Sequence, residues 1–206
     1  MKNMKKFVGL ALTATLAAAS LAGCGSKNND TSTGSSTSSV ADGTVFKIGG
    51  IGPVTGAAAA YGDAVEKGAK LAVEEINAAG GINGTPIEFK FEDDEHDAEK
   101  SVNAYNTLKD WGMQMLLGTV TSAPCIAVNA EASNDNMFLL RPSGTALECI
   151  STPNAFRVCF SDPAQGTKSA EYIGQNKLAT KVAAIYDSSD PYSSGIYESF
   201  VAEAAN

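Results

Sequence analysis

Ser122 and Thr145 are small hydroxyl residues placed where strand-like runs give way to helix-like ones, positions from which a carboxylate can be held. They lie in two loops rich in small polar residues, Gly118-Thr119-Val120-Thr121-Ser122-Ala123 and Arg141-Pro142-Ser143-Gly144-Thr145. A third loop of similar make-up runs from Gly52-Pro53-Val54-Thr55-Gly56 through Tyr61-Gly62-Asp63. Each precedes a helical pattern. Free backbone N–H groups and the positive ends of helix dipoles would therefore converge on one hole suited to an anion. The same two positions also suit plain N-caps, and position alone leaves both readings open.

Other reactive side chains fall into no working constellation. Glu92-Asp93-Asp94-Glu95-His96-Asp97 gathers hard oxygen ligands, but the spacing fits no EF-hand loop. A solvated acidic turn at a helix N-terminus accounts for it, and no metal is expected. His96 is the sole histidine, and no serine sits in a G-x-S-x-G elbow, so no nucleophile, base and orienter can be assembled. There is no G-x-x-x-x-G-K-[ST] phosphate loop either. The chain reads as a binding protein without a cofactor, not as an enzyme. Besides Cys24 it has Cys125, Cys149 and Cys159. No C-x-x-C occurs, which excludes the common zinc patterns, and at most one internal pair can form. A Cys149–Cys159 bridge and three buried, reduced thiols are the two alternatives.

The elements that must position these loops alternate. Residues 45–50 form a β-rich run ending in glycines, and 61–79 carry Val65, Gly68, Ala72, Ile76 and Ala79 at helical spacing before Gly80-Gly81, a C-cap signal. Strands are predicted at 87–91, 115–117 and 137–140, and helices at 98–111 and 124–133. That alternation predicts an α/β fold with a doubly wound parallel sheet, whose ligand crevice lies beyond the carboxyl ends of the strands. After Pro142 the regularity breaks. An extended piece at 155–160 leads to a helix at 162–176, a strand at 182–186 and a helix at 193–205. One strand cannot close a core, so 44–160 reads as a first lobe and 161–206 as the start of a second. The expectation is a piece of a two-lobe protein.

At the N-terminus, Lys2, Lys5 and Lys6 precede an apolar run at 7–20, the pattern of a secretory signal and too short to span a bilayer comfortably. Leu21-Ala22-Gly23-Cys24 resembles the lipobox of bacterial lipoproteins, which implies removal of residues 1–23 and a lipid anchor on Cys24. Residues 24–43, mostly Ser, Thr, Gly and Asn, suit a flexible tether. The whole chain carries −8, and losing three lysines and no acid with the signal leaves −11, which argues against nucleic acid as a partner. No later segment has the length and apolarity to cross a membrane.

Gly49-Gly50-Ile51-Gly52-Pro53-Val54-Thr55-Gly56, Tyr61-Gly62-Asp63, Glu75-Ile76-Asn77-Ala78-Ala79-Gly80-Gly81-Ile82-Asn83-Gly84 and Asp93-Asp94 together resemble the branched-chain amino-acid binding proteins of ABC importers. Phe156-Arg157, Asp162, Gln165-Gly166, Tyr186-Asp187 and Tyr192 extend the resemblance to the end of the chain. It implies a periplasmic binding protein type I fold, two α/β lobes hinged by three strands around a free amino acid. On that likeness Ser122, Ser143 and Thr145 hold the α-carboxylate and part of the ammonium group, Tyr61 packs beside the side chain, and Tyr192 reaches across from the second lobe. The acidic partner of the ammonium would lie beyond Asn206. Two places where leucine-type relatives bridge cysteines hold Glu95-His96 and Thr121 here, so that disulfide is missing, and the Asp187-to-Tyr192 loop looks one residue longer. The function implied is that of an extracytoplasmic, lipid-anchored solute-binding protein delivering a branched-chain or other neutral amino acid to a permease. A sensor module of the same fold is the alternative, and the lipobox and tether favour import.

Overall fold

The computed structural model describes residues 44–205. The signal segment, the lipidation expected at Cys24 and the tether at 24–43 lie outside them.

The five strands are β1 (Phe46–Gly52), β2 (Ile87–Asp93), β3 (Met115–Gly118), β4 (Phe138–Arg141) and β5 (Ala155–Arg157), all parallel in the order β2-β1-β3-β4-β5. The predicted α/β class and parallel sheet are therefore observed. Because β1 lies between β2 and β3, the winding reverses beside it, and loops leaving β1 and β3 in opposite directions open a crevice at their carboxyl ends. Three α-helices accompany these strands: α1 (Ala59–Ala78), α2 (Ala98–Trp111) and α3 (Ser122–Asn134). The core lies where Ile51, Leu116 and Leu139 of the sheet meet Tyr105 and Leu108 of α2 and Val128 and Ala132 of α3, all wholly buried.

Local chemistry explains the elements. α2 starts at Asp97, whose carboxylate accepts the Lys100 N–H at 2.8 Å, and ends at Gly112 with φ of 90°, a left-handed stop that favours glycine. α1 ends where Asn77 brackets β2, donating to the Ile87 carbonyl at 2.8 Å and accepting the Ile87 N–H at 2.7 Å. Within α1, Gly62 permits the closest approach, since a Cβ there would stand 1.8 Å from the Pro53 carbonyl oxygen.

Beyond β4 the chain makes a four-residue 3-10 turn, Leu147–Ile150, then β5, then α4 (Asp162–Gln175) and α5 (Pro191–Ala204). The last two pack chiefly on each other. A Cβ at Gly166 would meet the Ile196 carbonyl oxygen at 2.3 Å. Two expectations fail here. The extended piece at 155–160 pairs with β4 only over Ala155–Arg157. The strand expected at 182–186 is not one: no strand hydrogen-bonds to it, and Val182 and Ile185 are exposed, so its β-branched residues have no sheet to enter. Among the described residues no helix is long and apolar enough to cross a membrane.

Candidate functional site

Asp93, the last residue of β2, builds the first wall. Its carboxylate accepts the Val54 and Glu95 N–H groups at 2.9 Å each and the Thr55 hydroxyl at 2.6 Å, which fixes the loop between β1 and α1. Burial alone would raise its pKa, but these hydrogen bonds outweigh burial and hold it below the usual carboxylate value.

The second wall is the start of α3. Thr121 occupies the N-cap position with extended backbone, yet its side chain does not cap the helix. Its hydroxyl instead meets Nδ1 of His96 at 2.9 Å. Pro124 brings no N–H, so the N–H groups of Ser122 and Ala123 open the helix without a side-chain cap. Ser122 is 3% exposed, and its oxygen accepts the Ala146 N–H at 3.3 Å. It is the first residue of α3, not its N-cap, and its side chain lies beside the Cys149 thiol.

The third wall follows β4. Ser143 donates to the Val120 carbonyl at 2.7 Å, leaving its oxygen to accept. Thr145 is buried, and its carbonyl accepts Nη1 of Arg157 at 2.7 Å and the Asp162 N–H at 3.0 Å. The expected helix start after this loop is only the 3-10 turn, too short for a useful dipole. The start of α3 faces the hole, and the N-cap residues of α1 and α5, Ala58 and Asp190, line it as well.

All five residues singled out from the sequence, Tyr61, Ser122, Ser143, Thr145 and Tyr192, line one cavity of about 360 Å³, together with His96, Phe160 and Asp190 among others. The hydroxyls of Ser122 and Thr145 lie deep, while Tyr61, Phe160 and Tyr192 stand exposed at the open side. The volume falls within the range of small-molecule pockets.

Three charged residues named from the sequence are buried around the site, which the sequence did not foretell. Asp94 is not part of a solvated turn but wholly buried; one oxygen accepts the His96 N–H at 2.9 Å, and burial pushes its pKa up to about 6. Asp162, 1% exposed, is shifted upward by burial against the pull of the Thr145 hydroxyl. Arg141 is wholly buried and donates to the Gly118 carbonyl, to Asn129 Oδ1 at 2.6 Å and to the Cys125 carbonyl at 3.2 Å. Its position directly after an apolar run, at the end of a strand, was the available signal. Cys125, Cys149 and Cys159 are all free thiols, so the Cys149–Cys159 bridge is not formed.

A parallel α/β lobe whose strand ends open on a cavity walled by short polar loops defines a small-molecule binding protein. The chain belongs to the periplasmic binding protein family, whose description matches residues 45–206. Among its relatives, Leu/Ile/Val-binding protein homolog 3 of Brucella melitensis is 37% identical over 157 residues, covering 75% of this chain and 42% of that protein. The leucine-, isoleucine-, valine-, threonine-, and alanine-binding protein of Pseudomonas aeruginosa is 32% identical over 153 residues, covering 73% of this chain and 41% of that protein. Among solved structures, the branched-chain amino acid transporter substrate binding protein LivJ of Streptococcus pneumoniae, in complex with isoleucine, superposes with a TM-score of 0.74 at 33% identity. That match covers 78% of this chain and 47% of LivJ. The chain thus spans less than half the length of these relatives. The family and relatives are binding proteins, not enzymes, and the family points to an extracytoplasmic location.

Proposed function

We propose that this chain forms the ligand-capturing first lobe, residues 44–160, and the beginning of the second lobe, residues 161–206, of a lipid-anchored solute-binding protein that takes up a free neutral amino acid and delivers it to an ABC permease. The observation that carries the reading is the meeting of Ser122, Ser143 and Thr145 with Tyr61 and Tyr192 around one cavity at the uncapped start of α3. A carboxylate there receives the Ser122 and Ala123 N–H groups, the Ser122 hydroxyl and the positive end of the helix. Ser143, whose proton already goes to Val120, offers an oxygen to the ammonium. Tyr61 and Tyr192 flank an apolar side chain. Relatives that bind leucine, isoleucine and valine favour a branched-chain ligand.

Calorimetry of the exported protein with a panel of amino acids and their deaminated and decarboxylated analogues tests this. Branched-chain amino acids should bind, and the amines lacking a carboxylate should not. Replacing Ser122 and Thr145 together by Ala should cost about 2 to 5 kcal/mol of binding free energy. An unchanged affinity would remove both from the site. Cys24→Ser should move the protein from the membrane fraction to the soluble one; retention at the membrane would refute the lipid anchor.

A further inference from the structure

Three sulfurs converge on one glycine behind the cavity. A Cβ at Gly144 would lie 2.4 Å from Cys125 Sγ and 3.2 Å from Cys149 Sγ, and the Cys159 thiol donates to the Gly144 carbonyl at 3.6 Å. Cys125 and Cys149 are wholly buried and pack together with Ala146; the Cys125 thiol donates to the Thr119 carbonyl at 3.1 Å and the Cys149 thiol to the Ser122 carbonyl at 3.9 Å. Cys125 belongs to the first turn of α3 and Cys149 to the 3-10 turn. The pair therefore joins the segment that begins with Ser122 to the one that follows Thr145.

Arg141 lies against the same pair. Its guanidinium donates to the carbonyls of Gly118, Cys125 and Cys149 and to the Asn129 amide oxygen, all neutral acceptors. Among the described residues it forms no ion pair. A buried cation so placed favours an anion beside it. Burial pushes the Cys125 thiol up, but the neighbouring Cys149 side chain and the Arg141 charge bring it down to about 7. Cys149 moves the other way, raised by the same contact and by burial.

We infer that Cys125 and Cys149 are a dithiol that closes to an intramolecular disulfide beneath the ligand cavity. The oxidant is a small-molecule or protein disulfide of the extracytoplasmic space, where such bonds persist. The Cys125 thiolate attacks one sulfur of that disulfide and expels its other half as a thiolate. Cys149, giving up its proton, then attacks the Cys125 sulfur of the mixed disulfide and expels the second half. The two cysteines lose two electrons and two protons, and the oxidant leaves as two thiols. Since both residues are buried in the folded chain, the exchange takes place while the chain folds, before Arg141 closes over them, and the folded packing decides only which two sulfurs are brought together. The inference holds whatever the cavity binds.

The test refolds the full chain carrying Cys24→Ser in a buffer of reduced and oxidised glutathione. Remaining thiols are alkylated with iodoacetamide under denaturing conditions, and the digest is mapped by mass spectrometry. A link between the Cys125 and Cys149 peptides is expected, with Cys159 alkylated. The linked form should melt about 5 °C above a Cys149→Ser variant in the same buffer. If that variant fails to fold, the melting of the linked form before and after reduction replaces it. Alkylation of all three cysteines, a Cys149–Cys159 link or stable glutathione adducts would overturn the inference.

Discussion

Asp94 is wholly buried, with one oxygen taken by the His96 N–H at 2.9 Å and the other without a partner. Its pKa, raised to about 6 by burial with Asp93 adding repulsion and His96 opposing it, means the folded protein holds this proton more tightly than the unfolded chain does. The associated stability is complete below pH ~4, declines as pH rises toward the folded pKa and is gone above it. Asp94→Asn keeps the oxygen that His96 uses and removes the charge. Denaturant unfolding should find the variant level with the parent near pH 4 and about 2 to 3 kcal/mol more stable at pH 7. A parallel pH profile for the two proteins would refute the assignment. Sequence reasoning placed Asp94 in a solvated acidic turn because the run 92–97 is acidic, fits no metal loop and precedes a helix; Glu95, His96 and Asp97 are exposed, and only packing against the strand ends distinguishes Asp94 from them. That Ser122 and Thr145 line a crevice at the strand ends was legible by contrast, because short polar loops after apolar runs have few places to go in a parallel sheet.

Glycines separate the elements that touch from those that do not. Gly62 has no room for a Cβ against Pro53, whereas Gly68, on the same helix, would meet nothing within 4 Å. Gly62→Ala should therefore push α1 from the β1 loop and lower stability by about 1 to 3 kcal/mol, weakening ligand binding with it. Gly68→Ala should raise stability by about 0.5 to 1 kcal/mol through helix propensity alone. Thermal melts of the two variants check both signs. The alternation of strands and helices up to β4 was readable because the helical runs are long and the strands, even the four-residue β3 and β4, are apolar and bounded by Gly, Pro or Asn. The 3-10 turn was not, since Leu147–Ile150 sets Glu148 among apolar residues and is too short to show a helical period. The segment at 182–186 has strand composition without a strand's neighbours, and β propensity reports fit to a sheet more than a backbone preference.

Across the molecule, order is uneven. Helices α2 and α3 and strands β1, β3 and β4 share the wholly buried core, while residues 177–186 are exposed throughout. Hydrogen exchange of the 206-residue chain should find the slowest amides in β3 and α3 and the fastest in 179–186. Protection of that segment equal to the core would contradict the arrangement. The loops around the cavity are different again. His96 reaches Thr121 at 2.9 Å, Ser143 reaches Val120 at 2.7 Å, and Ala146 reaches Ser122 at 3.3 Å, so three chain segments distant in sequence are laced together across the floor. A solute landing there meets a surface that has already given up its conformational freedom, and little further entropy is lost on that side. Whatever slows or tunes capture must then arise from the opposite wall, where the aromatic rings stand open to water.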